Sequence, residues 1–330
     1  MQSSKTLDNI IEKIKSSKKS IVMAHQNPDG DTLGSMLALG ALLKKCGHVV
    51  DHVISDPVPE VYKFLPFTDL VKLPDSRELI LKYDLSFSLD CGSIKRLGKA
   101  KDLFLDSETS INIDHHISNE LFAKINWIEA HATSTGQLIF WLAKEMKANI
   151  TREIASLLYT TLLTDTGCFS NSNTNAEALH WGSELISLGA DHEKIYRKVF
   201  LERPFKAVKI FGAALNNVCL IENQNIAWTF VDHETMKSLS ATGEDTEDIV
   251  DHMMRTKGVK VGVFFREDDN ETKVSLRSNI DNFDVSAIAV SMGGGGHKRA
   301  AGINIKSPLV QVKNSVLDKV IGEFRKHSEK

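Results

Sequence analysis

Three short runs, each shaped like a buried strand, stop on a residue able to bind a metal, and this limits the fold more than any other feature. Ile21-Val22-Met23-Ala24 runs into His25, Leu85 to Leu89 runs into Asp90, and Ser110 to Ile113 runs into Asp114. His48 to Ile54 reads as a further strand. Short apolar strands with little polar alternation belong to parallel sheets covered on both faces. The covering helices are legible too. Leu7, Ile10, Ile11 and Ile14 share one face of a helix over Asp8 to Lys18, and Thr32 to Lys45 is apolar at helical spacing. Three more helices are expected at Thr135 to Met146, Arg152 to Leu163 and Ala176 to Leu188. The expected class is therefore α/β, a parallel-sheet N-terminal domain flanked by helices. Open parallel sheets bind ligands at the carboxyl ends of their strands, so His25, Asp90 and Asp114 should share one rim.

The texture changes near residue 200. The expected organisation is an α/β domain over 1–199, a linker helix region over 200–215 and a smaller α/β domain over 216–330, with a cleft between the domains. In the last part, strands are expected at Asn225 to Val231, Val259 to Arg266 and Thr272 to Arg277, and helices at Thr246 to Arg255 and Val285 to Met292. The 40 Lys and Arg nearly balance the 43 Asp and Glu, for a net charge of −3. That argues against wrapping a long duplex, which needs a broad basic stripe. No apolar run approaches the roughly 18 residues of a membrane helix. Cys46, Cys91, Cys168 and Cys219 are scattered without a C-x-x-C pair, so the expected compartment is the cytoplasm, with no membrane partner. A homodimer is left open.

The polar motifs point to cations and phosphate. In His25-Gln26-Asn27-Pro28-Asp29-Gly30-Asp31, Asp29 and Asp31 are two apart, and a divalent cation would offset their repulsion. A solvated acidic turn is the plainer alternative. In Asp114-His115-His116, one histidine can ligate a metal while the other faces a substrate; a structural histidine pair is the alternative. Asp165, in Thr164-Asp165-Thr166-Gly167, closes an apolar helix where the helix dipole disfavours negative charge. Asp29, Asp31, Asp90 and Asp165 together balance two divalent cations. A mixture of carboxylates and imidazoles suits Mn²⁺, with Zn²⁺, Co²⁺ and Mg²⁺ also compatible. Paired cations are a recurrent means of hydrolysing phosphate esters. Near the C-terminus, Gly293-Gly294-Gly295-Gly296-His297-Lys298-Arg299 can form an anion-binding nest, although flexible loops look the same. Arg277-Ser278, at a strand end, offers a bidentate phosphate ligand or an ordinary surface ion pair.

Taken in order along nearly the whole chain, these motifs resemble the DHH phosphoesterase superfamily. The Gly293 to Gly302 segment is similar to the hallmark of the DHH-associated C-terminal domain. Within the superfamily the two-domain layout resembles the nanoRNase/pAp phosphatase group. The resemblance implies two divalent cations, Mn²⁺ foremost. One would be held by His25, Asp29 and Asp90, the other by Asp31, Asp90, His115 and Asp165. His116 would contact the scissile phosphate and Asp114 would orient the histidines. Arg277, Ser278, Gly294, Gly295, Gly296, His297 and Arg299 would bind substrate. The implied partners are short RNA oligonucleotides, cut to mononucleotides, and adenosine 3′,5′-bisphosphate, cut to AMP. A second reading is a phosphodiesterase of linear or cyclic dinucleotide messengers; an inorganic pyrophosphatase fits the Gly-rich motif less well. A third is a non-catalytic nucleotide sensor, against which every implied metal ligand is present. One departure is that Cys168 to Thr174 carries no basic residue, where relatives often carry an aromatic and basic stretch.

Overall fold

The computed structural model describes residues 2–80 and 82–328. Contacts between Cα atoms divide the chain into two units, Met1–Glu202 and Arg203–Lys330. In the first unit α1 (Gln2–Ser16) leads into β1 (Lys19–Ala24), α2 (Gly30–Lys45), β2 (Val49–Val53) and the two-residue β3 (Val71–Lys72). Then come β4 (Leu85–Leu89), α3 (Lys101–Leu105), β5 (Thr109–Asp114) and β6 (Ile125–Ile128). The unit closes with α4 (Thr135–Glu145), α5 (Arg152–Asp165), α6 (Ala176–Ser187) and α7 (His192–Tyr196).

The strands form a six-stranded sheet ordered β3-β2-β1-β4-β5-β6, parallel at every pairing. Side chains alternate between its faces as strand geometry requires. Ile21 and Met23 of β1 join a core with Leu97 and Phe104, while Val22 and Ala24 join the larger core under α2, α4 and α5. The order reverses at β1, and register aligns the strand ends around that point. Ala24 pairs with Leu89, and Leu89 with Ile113, so His25, Asp90 and Asp114 leave the sheet side by side. β3 and β6 lie at the edges, are short and are only partly buried, which is why the residue pattern does not announce them.

Three helices meet at the same end of the sheet. Asp29 caps α2, its Oδ1 accepting from the Thr32 N–H at 2.9 Å, as a short acceptor should. The helix is buried along almost its whole length. Glycines set how closely it can be covered. A Cβ on Gly34 would lie 2.5 Å from Thr161 Cγ2 and 2.7 Å from the Leu157 carbonyl oxygen of α5. A Cβ on Gly136 in α4 would lie 1.9 Å from Thr161 Oγ1. Away from this end, the buried Asp51 of β2 accepts from Lys72 Nζ at 2.9 Å, the Ile80 N–H at 3.0 Å and the Tyr83 hydroxyl at 2.7 Å. Burial alone would raise its pKa, but these three donors outweigh burial and lower it.

In the second unit α8 (Phe205–Asn216), β7 (Cys219–Ile221), β8 (Ile226–Val231), α9 (His233–Ser238) and α10 (Ile249–Met253) precede β9 (Val261–Glu267) and β10 (Thr272–Ser278). α11 (Val285–Ser291), β11 (Gly295–His297), β12 (Ala300–Ile305) and α12 (Leu309–Ser328) complete it. The sheet order is β11-β12-β10-β9-β8-β7, antiparallel except for β8 with β9. Val263, Phe265, Val274 and Leu276 face a core shared with α11 and α12, and Phe264 faces one shared with α8 and α10. No helix among the described residues is long and apolar enough to cross a membrane.

Candidate metal centre

Asp90 lies at the middle of the carboxyl rim. Its backbone adopts φ +52°, in the left-handed region that non-glycine residues rarely enter. Such strain is often found where a side chain must be aimed. The aim here is toward histidines: Asp90 Oδ2 is 3.5 Å from His25 Nε2, and Oδ1 is 3.7 Å from His115 Nε2 and 3.6 Å from His116 Nδ1. Two threonines hold the carboxylate, Thr32 Oγ1 at 2.9 Å and Thr135 Oγ1 at 3.1 Å. Burial would raise the Asp90 pKa, but the His25 hydrogen bond and the charges of His116, His25 and His115 together lower it.

Asp31 comes from the first turn of α2 and meets the start of α4. Its Oδ2 accepts from the Thr135 N–H at 2.8 Å and its Oδ1 from the Gly136 N–H at 3.0 Å, the donors that a helix N-terminus leaves free. Even so, its pKa is raised well above the usual carboxylate value, first by burial and then by Asp90, Asp165 and Asp29. Asp165, the last residue of α5, is raised to about 6, by burial first; the charge of His115 pulls it down while Asp90 and Asp29 push it up. Asn173 Nδ2 donates to its Oδ2 at 3.1 Å. Carboxylates this crowded lack positive charge.

The histidine rings are set by their outer nitrogens. His115 Nδ1 lies 3.2 Å from the Ala132 carbonyl and His25 Nδ1 lies 2.6 Å from the Gln26 carbonyl. A carbonyl only accepts, so each Nδ1 carries a proton, and that bond turns each Nε2 inward. His115 Nε2 faces Asp31 Oδ2 at 3.9 Å, Asp90 Oδ1 at 3.7 Å and Asp165 Oδ2 at 3.8 Å. An imidazole nitrogen among three carboxylates becomes a donor set for a cation once the nitrogen gives up its proton, and the mixture of oxygen and nitrogen suits Mn²⁺ and its neighbours. Three overlapping groups could hold one: His25 with Asp29 and Asp90, Asp31 with His115 and Asp165, and Asp90 with His115 and His116, each with ligand atoms within 4.8 Å of one another.

His116 differs from the other two. Its Nδ1 donates to Asp114 Oδ1 at 2.7 Å, and this bond raises its pKa to about 9 despite burial, with help from Asp90. Asp114 is fully buried; it also accepts from the His115 N–H at 2.8 Å and from Asn119 Nδ2 at 2.6 Å. Thr32, Asn119 and Thr135 were not singled out from sequence. The two threonines meet Asp90 from far along the chain, and Asn119 folds back on Asp114 five residues before it.

The candidate substrate residues lie in the second unit. The glycine run, for which the sequence offers an anion-binding nest or a flexible loop, forms half of a hairpin in which Gly295–His297 pairs with Ala300–Gly302. A Cβ on Gly294 would meet the Gly302 oxygen at 2.2 Å, and Gly296 has φ +143° with Ala301 against it. Close strand approach therefore explains these two glycines. His297 is exposed. Arg299, at the turn, pairs with Asp281. Arg277 pairs with Asp251 through Nε at 2.9 Å and Nη2 at 3.3 Å, and the Ser278 N–H donates to the Arg299 carbonyl at 3.0 Å. Arg277 also borders a groove of about 730 Å³, with Phe264, Arg266, Lys273 and Ser275.

Comparison with known proteins agrees along the whole chain. Residues 19–162 match the DHH family, N-terminal domain, and residues 223–326 match the DHHA1 domain. The bifunctional oligoribonuclease and PAP phosphatase NrnA of Thermus thermophilus is 30% identical over 92% of this chain and 89% of its own length. The Bacillus subtilis protein of the same name is 25% identical over 87% of this chain and 89% of its own. Among solved structures, an exopolyphosphatase-related protein from Bacteroides fragilis superposes with a TM-score of 0.89 at 28% identity, covering 98% of this chain and 96% of that one. RecJ from Thermus thermophilus in complex with Mn²⁺ shares the fold, with a TM-score of 0.56 at 14% identity over 98% of this chain and 55% of its own.

Proposed function

From the premise that this chain belongs to the DHH family and is a hydrolytic phosphoesterase, we propose that it is a Mn²⁺-dependent enzyme with two kinds of substrate. It cuts short oligoribonucleotides, di- to pentanucleotides, to mononucleotides, and adenosine 3′,5′-bisphosphate to AMP. The observation that carries the reading is the pair of imidazole nitrogens, of His25 and His115, gathered with Asp29, Asp31, Asp90 and Asp165. The names of the relatives from Thermus and Bacillus support the choice of substrates.

In this reading His25, Asp29 and Asp90 hold one cation and Asp31, Asp90, His115 and Asp165 hold the other, Asp90 serving both. Bound there, the pair would supply a nucleophilic water at neutral pH and neutralise charge on the phosphoryl oxygens. The chain itself contributes orientation and a proton. Asp114 fixes the His116 ring and favours its protonated form, holding its pKa at about 9 in the cation-free protein, and a protonated Nε2 would donate to a phosphoryl oxygen as charge grows in the transition state. Asn119 holds Asp114 from behind. In the second unit, Arg277, Ser278, Gly294, Gly295, Gly296, His297 and Arg299 are the residues proposed to bind substrate. The Ser278 N–H to Arg299 carbonyl bond ties the β10 end to the hairpin turn, which supports treating them as one surface.

The test is a panel of purified protein with Mn²⁺ against RNA from dinucleotide to long oligomer, the bisphosphate, and cyclic diadenylate. Release of mononucleotide and phosphate, falling with RNA length, is expected. No product from either the dinucleotide or the bisphosphate would sink the assignment.

A further inference from the structure

The candidate centre is short of positive charge for an anionic substrate. Asp29, Asp31, Asp90, Asp114 and Asp165 converge there. Two divalent cations, on which this inference rests through the function proposed above, together with a protonated His116 would balance the five carboxylates, and a phosphodiester then brings a negative charge that nothing there offsets. The segment after Asp165 offers no help, because Cys168 to Thr174 contains no cation.

The loop after β4 does offer help. Arg96 is exposed, and its side chain has no ion pair or hydrogen bond among the described residues. Its backbone is nevertheless held firmly. The Arg96 carbonyl accepts from the Gln26 backbone N–H at 2.8 Å, and Gly98, at φ +57°, sits so close that a Cβ would be 2.4 Å from the Gln26 side-chain Nε2. At the loop's other end the Glu120 N–H donates to the Gly92 carbonyl at 2.9 Å, and Ser93 Oγ donates to Glu120 Oε2 at 2.7 Å. Gly92 itself passes Asp114 and His116, with room for a Cβ at 3.8 Å from each. The loop thus runs from the His25–Gln26 turn to the Asp114-His115-His116 turn, and Arg96 stands on it with an unpaired guanidinium, its carbonyl bonded to Gln26, the neighbour of His25.

We propose that Arg96 binds the scissile phosphate, its planar fork donating to non-bridging oxygens beside His116. A rigid backbone with an unpaired head suits that role, because the donor is positioned before substrate arrives and no internal partner has to be given up. An ordinary surface arginine would instead be indifferent to the phosphate.

Binding to Mn²⁺-loaded protein separates the two. AMP and adenosine differ only in the phosphate, so calorimetry with both ligands on wild type, Arg96→Gln and Arg96→Lys isolates the contact. The glutamine variant should bind AMP about 10- to 100-fold more weakly, the lysine variant should recover part of the loss, and adenosine should be unaffected. The rise in melting temperature caused by Mn²⁺ should be the same in all three proteins. Equal AMP affinity in wild type and Arg96→Gln, an equal loss for adenosine, or loss of the Mn²⁺ response would overturn the assignment. A wild type that binds AMP through Arg96 but hydrolyses nothing would refute the proposed function and leave this contact standing.

Discussion

Replacing Asp165 by asparagine should stabilise the cation-free protein. The carboxyl is held at about 6 instead of its ordinary 3.8, with burial the largest cause. One pKa unit is worth about 1.4 kcal/mol, so keeping this group ionised inside the fold costs about 3 kcal/mol. The side chain keeps 28% exposure, and solvent screening reduces the cost to about 2 kcal/mol. The sign follows from the direction. A carboxyl raised in the native state holds its proton more tightly than in the unfolded chain. The native protein therefore suffers no penalty below about pH 4 and acquires all of it by about pH 6. Asparagine keeps an oxygen for the Asn173 amide and removes the charge. Urea denaturation of both proteins in chelator should show equal stability near pH 4 and an advantage of about 2 kcal/mol for Asp165→Asn near pH 8. Adding Mn²⁺ at the higher pH should reverse the order, because the variant has lost an anionic ligand. A variant no more stable than wild type at alkaline pH in chelator, or one with the same advantage at both pH values, would refute the electrostatic account.

Asp90→Ala should abolish both turnover and the Mn²⁺-induced rise in melting temperature, since Asp90 belongs to two of the three ligand groups; a retained thermal response would contradict its shared role. His116→Gln should keep that thermal response while turnover drops by about 100- to 1000-fold. In Asp114→Asn, NMR titration should find the His116 ring well below the value of about 9 that it has in cation-free wild type. Gly34→Ala should cost about 1–3 kcal/mol through overpacking, read as a lower urea midpoint, because the new methyl meets the Leu157 carbonyl and Thr161. Asp51→Asn should lose stability at neutral pH. Because the native pKa of Asp51 is depressed, the wild-type advantage should shrink as pH falls through that depressed value, and acid denaturation curves that stay parallel would deny it.

The rim was legible because strand ends are positional facts. An apolar run that stops on His25 or Asp90 declares where a side chain leaves the sheet, and parallel order gathers such ends. The partners that tune the rim were not legible. Thr32 bonds Asp90 across 58 residues and Thr135 bonds it across 45, and no local pattern encodes such pairings. The conformation of the glycine run was hidden for a different reason: glycine serves open loops and close strand contact alike, and only the alternation in Ala300–Ile305 hints at the hairpin. α12 could have been found from Val312, Val316, Val320 and Phe324, one every turn, but Lys, Asn and Asp between them mask the stripe. Arg277 kept both its readings, since its bond to Asp251 neither requires nor forbids a phosphate.

The interleaving of the sheet has a consequence during synthesis. β1 emerges early, yet its neighbour β4 lies some sixty residues later in the chain, and Asp165 follows only after α5 is complete. Contacts between such distant segments form slowly. If Asp165 completes the centre as proposed, a ribosome-bound chain truncated before it would lack one carboxylate of the set, and hydrolysis would have to wait for the helix that carries it.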